Sequence, residues 1–123
     1  MTYQDVALLP AKHALTEKDA VTAHQLHHEA LLLLEESTLS RQLINQWFAS
    51  KQYSPNQCMS LGSVEAQIAL VQAGLGIAIL PDFVAPNKLM HKPINGLPGR
   101  KIAMFYQRLK PATQAWLRLL KAD

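Results

Sequence analysis

A chain of 123 residues, 49% of them hydrophobic, can bury one substantial core but not two generous ones. No run of roughly 18 or more apolar residues exists, Leu31 to Leu34 falling far short of what a membrane-spanning helix needs, and Cys58, the single cysteine, excludes an intramolecular disulfide. The formal charge of +3 is uneven: Lys88, Lys92, Arg100, Lys101, Arg108, Lys110, Arg118 and Lys121 lie near the end of the chain, where Asp123 is the only acid.

These cations are spread over a loop, a strand and a helix without interleaved aromatics, which reads as a solvated face rather than a phosphate track. No helix-turn-helix, zinc-ligand spacing or RNA-binding signature occurs, so this piece is not expected to read DNA by itself. The opening MTYQDVALLP lacks a basic segment followed by a long apolar one. It does not read as a secretory signal, and cytoplasmic residence is the expectation.

In chain order, Asp5 to Leu9 is a short apolar run closed by Pro10, as in a buried strand. Residues 10–15, PAKHAL, form a loop in which His13 is expected to hydrogen-bond locally. Thr22 caps a short helix through about Glu29, on which His24, His27 and His28 recur at i, i+3 and i+4. That spacing puts imidazoles on one helix face and would suit Zn²⁺ or Ni²⁺ if a third ligand were near. Without an H-E-x-x-H order, a cysteine or a second histidine pair, it reads as a surface cluster, and no metal or cofactor is expected.

Ala30 to Leu34, bounded by polar positions, suits a central strand. Ser37 or Thr38 then caps a helix whose Leu39, Leu43 and Trp47, with Ile44 and Phe48 beside them, form an apolar stripe ending near Lys51. After a turn at residues 53–56, Gln57 to Leu61 is a further strand, with Cys58 expected as a small buried hydrophobe beside Met59. Gly62 and Ser63 open the next helix. Val64, Ile68, Val71 and Leu75 share one side of it, while Glu65, Gln67 and Gln72 fall mostly elsewhere. Gly74 ends the helix and Gly76 permits a tight re-entry into Ile77 to Leu80, a wholly apolar strand stopped by Pro81. Leu89 to Ile94 is expected as an edge strand around His91, residues 95–99 as a loop, and Arg100 to Tyr106 as a strand. Pro111 begins a final helix carrying Ala112, Trp116, Leu119 and Leu120.

Unpaired N–H groups of helix starts collect at the carboxyl edge of a parallel sheet, so Ser37 to Ser40 and Gly62 to Val64 should point into one crevice. A polar or anionic small ligand fits such a place, beside the capping role both serines carry.

Four segments together resemble the effector-binding domain of LysR-type transcriptional regulators. They are the P-x-x-H element at 10–13, followed by Ala14 where the family usually has Pro, then EESTLSRQLINQWF, ALVQAGLGIAILPDFVA and RKIAMFYQRLKPATQAWLRLL, in the family's order from about Tyr3 to Leu120. The resemblance implies an α/β fold: a Rossmann-like lobe of the type II periplasmic-binding-protein kind, with a mixed, mainly parallel sheet. It also implies an organisation in which residues 1–9 are a first crossing strand, 10–99 the second lobe, and 100–123 the return crossing strand and C-terminal helix of the first lobe. The helix-turn-helix and most of the first lobe, which the family carries upstream, are then absent from this piece, and DNA is reached only through that upstream part.

By the same resemblance the chain senses a small-molecule effector, with Glu36, Ser37, Thr38, Ser40, Leu61, Gly62 and Ser63 as candidate contacts and the backbone from Ile77 to Pro81 as a weaker one. The final helix, with Trp116, Leu119 and Leu120 left uncovered, implies a homo-oligomer. A free-standing solute-binding protein remains the alternative. An enzyme would have only Ser37, Glu36 and His91 to work with, no spacing links them, and no residue is assigned a catalytic role.

Overall fold

The computed structural model describes residues 2–101. Its centre is a five-stranded sheet in the order β4-β3-β5-β2-β6, formed by β2 (Asp5–Leu9), β3 (Ala30–Leu34), β4 (Gln57–Leu61), β5 (Ile77–Pro81) and β6 (Met90–Pro93). β3 pairs in parallel with β4 and β5, and β2 runs antiparallel to both β5 and β6. Four strands therefore point one way and β2 alone runs against them. A separate ribbon pairs β1 (Thr2–Tyr3) with β7 (Arg100–Lys101), antiparallel.

Helices cover both faces. α1 (Ala23–His27) precedes β3, α2 (Leu39–Ser50) joins β3 to β4, and α3 (Val64–Gln72) joins β4 to β5; a 3₁₀ turn at Ala14–Glu17 buries Leu15. Period-2 alternation sorts the strand residues between the faces. Ala7, Leu9, Leu31, Leu33, Ile77 and Ile79 pack with Leu26, Ile44, Trp47 and Phe48 on the α2 side. Val6, Leu8, Leu32, Ala78 and Leu80 pack with Val71 of α3 on the other. Buried on both faces, β2 and β5 have no exposed residue, which is why Val6 to Leu9 and Ile77 to Leu80 read as unbroken apolar runs.

The helix ends follow local chemistry. Thr22 and Gln25 form a capping box at α1, and the Thr38 and Ser63 hydroxyls accept from the Arg41 and Ala66 N–H groups to cap α2 and α3. α1 stops at His27, short of Glu29, because the chain turns at His28 to enter β3. At the far end of α3, Gly74 takes a φ of +80°, and a Cβ on Gly76 would stand 2.5 Å from the Ala30 carbonyl oxygen. The first glycine is required by backbone conformation, the second by close approach to β3.

Three features differ from the sequence reading. Gln67, placed off the apolar side, is fully buried at its centre, where its Nε2 donates to the Leu32 carbonyl at 2.8 Å and the Ile79 carbonyl at 3.3 Å. The β3–β5 register covers only Leu31↔Ile77 and Leu32↔Ala78, so the amide bridges the strands where their own pairing ends. Leu75, expected on the same stripe, is 55% exposed because the helix has already ended at Gln72. Cys58 is exposed, since β4 is an edge strand whose first four residues are exposed and only Leu61 packs against the core. β2, within the expected first crossing strand, is an interior strand of the sheet between β5 and β6. The continuation of the strand beyond Lys101 and the helix with Trp116, Leu119 and Leu120 lie outside the described residues.

Candidate functional site

Parallel pairing carries Leu34 of β3 directly beside Leu61 of β4, so the segments that follow, 35–38 and 62–63, emerge side by side at one sheet edge. From there the chain departs in opposite senses. α2 packs on one face and α3 on the other, so neither helix covers the space between their starts. This is the switch point at which a parallel sheet leaves a crevice outside the carboxyl ends of its strands. Two capped helix starts border it, at Thr38 and Ser63.

Of the candidate contacts, the sheet edge brings Glu36, Ser37, Thr38, Ser40, Leu61, Gly62 and Ser63 together. Glu36 and Ser37 are exposed, Thr38, Ser40, Leu61 and Ser63 half-buried. A Cβ on Gly62 would lie 3.7 Å from Glu35 Oε1, an ordinary contact that shows how near the two segments run. Pro81 ends β5 at the same edge of the sheet but is buried, paired with Asp5. Ile77 is set apart: it pairs with Leu31 near the other end of the strands and is fully buried in the core.

Two cations organise this edge. Arg41, only 7% exposed, donates from Nη1 to the Leu34 carbonyl at 2.8 Å and to Ser60 Oγ at 3.0 Å, and from Nε to Asn45 Oδ1 at 3.2 Å. It clasps the ends of β3 and β4 together beneath the turn that carries Glu36 and Ser37. Arg100 donates to Ser40 Oγ at 3.3 Å and pairs through Nη2 with Asp5 Oδ2 at 2.8 Å. Burial pushes the Asp5 carboxyl above its usual range, with Arg100 pulling it back and Asp82 adding to the rise. Neither arginine was among the sequence candidates. One signal for Arg41 was present: a cation in the first turn of a helix opposes the macrodipole and calls for a specific anion or carbonyl partner.

His91 is on β6, three strands across the sheet from β3, or about 14 Å at roughly 4.8 Å per strand, so it is not assembled with Glu36 and Ser37. His13 is occupied structurally, with Nδ1 accepting from the Leu15 N–H and Nε2 2.6 Å from Glu29 Oε1. His24, His27 and His28 gather at the opposite end of β3 from the crevice, their nearest ring nitrogens all within 4.8 Å of one another. Desolvation, then the neighbouring His28 and His24, lower the pKa of His27. An open groove of about 360 Å³ runs between α2 and residues 96–100, and none of the candidate contacts lines it.

A family model described as "LysR substrate binding domain" matches residues 1–123. The chain belongs to the LysR substrate-binding domain family. Among curated relatives, the Hca operon transcriptional activator HcaR of Escherichia coli is 23% identical over 124 residues, covering 94% of this chain and 42% of HcaR. The chain spans less than half the length of the curated relatives it matches. Solved structures agree on the fold: the BenM effector binding domain with its effector benzoate has a TM-score of 0.70 at 17% identity, over 99% of this chain and 62% of that one. The effector binding domain of QuiR in complex with shikimate has a TM-score of 0.71 at 20% identity, over 80% and 49%. The α/β architecture of this LysR substrate-binding domain, with its mixed sheet, is that of these domains. Among the described residues no helix is long and apolar enough to cross a membrane.

Proposed function

We propose that this LysR-family domain is the effector-sensing part of a transcriptional regulator, holding a small polar or anionic metabolite at the β3/β4 crevice. The observation that carries the reading is the adjacency of Leu34 and Leu61, which sets two capped helix starts beside one another over an edge that neither helix covers. Unfilled N–H groups and the positive ends of both helix dipoles favour an anion there. Buried Arg41, whose one ionic partner among the described residues is the exposed Glu36 at 3.4 Å, adds positive charge beneath it. BenM with benzoate and QuiR with shikimate show this fold with small carboxylates, which makes that class the first to test.

In this reading Glu36, Ser37, Thr38, Ser40, Leu61, Gly62 and Ser63 are the contacts, and the exposed Glu36 selects against ligands with negative charge near its position. DNA recognition belongs to a part of the regulator outside these residues, and the relatives' names as transcriptional regulators favour regulation over catalysis. Self-association through the helix with Trp116, Leu119 and Leu120 completes the proposal, supported by its apolar stripe in the sequence.

The test is amide chemical-shift mapping of the chain against a panel of small carboxylates, phosphates and amino acids. Saturable shifts confined to residues 35–40 and 61–63, reduced in a Ser37→Ala, Ser40→Ala double variant, support the site. Saturable shifts clustered elsewhere, for instance in the groove at residues 96–100, overturn it. Light scattering of the same samples reads the self-association, which a monomer at every concentration refutes.

A further inference from the structure

We propose that His24, His27 and His28 form a binding site for a single divalent transition-metal ion of the imidazole-preferring class, represented by zinc, nickel and copper. The three rings sit on the last turn of α1 and its C-cap His28, with centroid separations of 4.0 Å for His27–His28, 5.1 Å for His24–His28 and 5.5 Å for His24–His27. One nitrogen from each ring lies within 4.8 Å of one from each of the others. Three nitrogens around a tetrahedral ion at about 2.0–2.1 Å stand roughly 3.3 Å apart, so closure needs a shift of an ångström or two. His24 and His28 are exposed, and side-chain rotation supplies that movement without displacing the helix.

A second observation points to a ligand. His27 Nε2 is buried and has no hydrogen-bond partner, while the ring's other polar contact is to the backbone of Ser54. A nitrogen shielded from water with nothing to bond is costly unless something accepts its lone pair. The surroundings also resemble the outer support that metal-bound imidazoles use. Tyr53 Oη lies 3.1 Å from His24 Nδ1, which leaves Nε2 to bind the ion, and the tyrosine ring stacks 4.4 Å from His27. Tyr53 is itself packed on the core, and the Asn56 N–H donates to the His27 carbonyl at 3.0 Å, so the turn between α2 and β4 is fixed against α1. Three nitrogen ligands with the outward position left to water is the expected coordination. The site lies at the amino end of β3, about 16 Å from the crevice for five residues at roughly 3.3 Å each, so it does not depend on the effector reading.

The test uses the untagged chain and two probes. Isothermal titration with Zn²⁺ should show one site, weakened at least tenfold by His24→Ala and separately by His28→Ala, both surface changes, and left within twofold by His91→Ala. Tyr53→Phe should weaken it about tenfold, the size expected for loss of an outer partner. Co²⁺ should give the intense visible absorption of a four- or five-coordinate ion, displaced by Zn²⁺. Zn²⁺ binding that His91→Ala weakens as much as His28→Ala, or a Co²⁺ spectrum with only the weak bands of a six-coordinate aquo ion, overturns the proposal.

Discussion

Replacing Arg41 by methionine keeps the length of the side chain and removes its charge and donors. The cost divides by partner. The bond to the Leu34 carbonyl, 2.8 Å from a guanidinium whose residue is 7% exposed, ends a central strand, and an acceptor stripped of its donor there costs about 1–3 kcal/mol. Ser60 is exposed, so its hydroxyl finds water instead and contributes little. The Glu36 contact, at 3.4 Å to a carboxylate 75% exposed, belongs with surface ion pairs worth about 0–1 kcal/mol. Arg41→Met should therefore lose about 1–3 kcal/mol, which for a chain of this size lowers Tm by roughly 4–12 °C. Glu36→Gln should be nearly silent. Arg41→Lys should fall between, because one ammonium cannot reproduce the planar fork that reaches both strand ends. Circular-dichroism melts with urea titrations read the stability, and amide shifts at residues 34–38 and 60–63 read the geometry. If Arg41→Met melts within a degree of the parent while Glu36→Gln is the damaging change, the clasp between β3 and β4 is misassigned.

Gly76→Ala should cost about 1–3 kcal/mol because the new methyl meets the Ala30 carbonyl oxygen at 2.5 Å and the β3 backbone must give way; Gly74→Ala, with open space around it but φ at +80°, should cost about 1 kcal/mol, and urea midpoints rank the two. Gln67→Leu should destabilise by about 1 kcal/mol, since two strand carbonyls lose their donor while the buried, unpartnered Oε1 is also removed, and deuterium exchange should quicken first at residues 32–34 and 79–81. For Asp5 the folded pKa is raised, so the native state binds the extra proton and stability falls as pH rises through that value. The parent should therefore gain stability relative to Asp5→Asn as pH is lowered from 7 toward the ordinary carboxylate value of 3.8; a gap that moves the other way shows that attraction to Arg100 outweighs desolvation.

Where the sequence was legible, one local rule sufficed. The leucine run of β3 and the apolar run of β5 read as strands because both of their faces are covered, and Thr22 and Ser63 read as caps because each supplies an oxygen to an N–H three residues on; of the two candidates Ser37 and Thr38, it is Thr38 and not Ser37 that caps α2. The misreadings involve a partner far away along the chain. Gln67 looked like a solvent residue since a helical wheel assumes that polar side chains face outward, and the acceptors that reward its burial lie 35 and 12 residues distant. Cys58 looked buried because its neighbours are apolar, but strand order, not composition, put β4 at the edge. The pairing of β2 with β5 and β6 joins residues 70–87 positions apart, which no local pattern signals. At the site, the sequence located both bordering turns and missed the arginines beneath them.

That division has a physical cause in the topology. β3 leads through α2 to β4 on one side, and β4 leads through α3 to β5 on the other, so the two helices must take opposite faces. The opening between their starts is then forced by connectivity and persists whatever residues occupy the turns. The BenM domain with benzoate and the QuiR domain with shikimate share this fold with the chain at 17% and 20% identity; under the proposed reading, ligand choice would reside in side chains such as Glu36, Ser37 and Ser40, which are exposed or half-buried and carry little of the folding energy. Arg41 differs from them, because it supports the opening from below while reaching no exposed surface of its own. Substitution there should alter the shape of the crevice for every ligand, whereas substitution at Ser37 or Ser40 should alter the ranking among ligands and leave the melting temperature nearly unchanged.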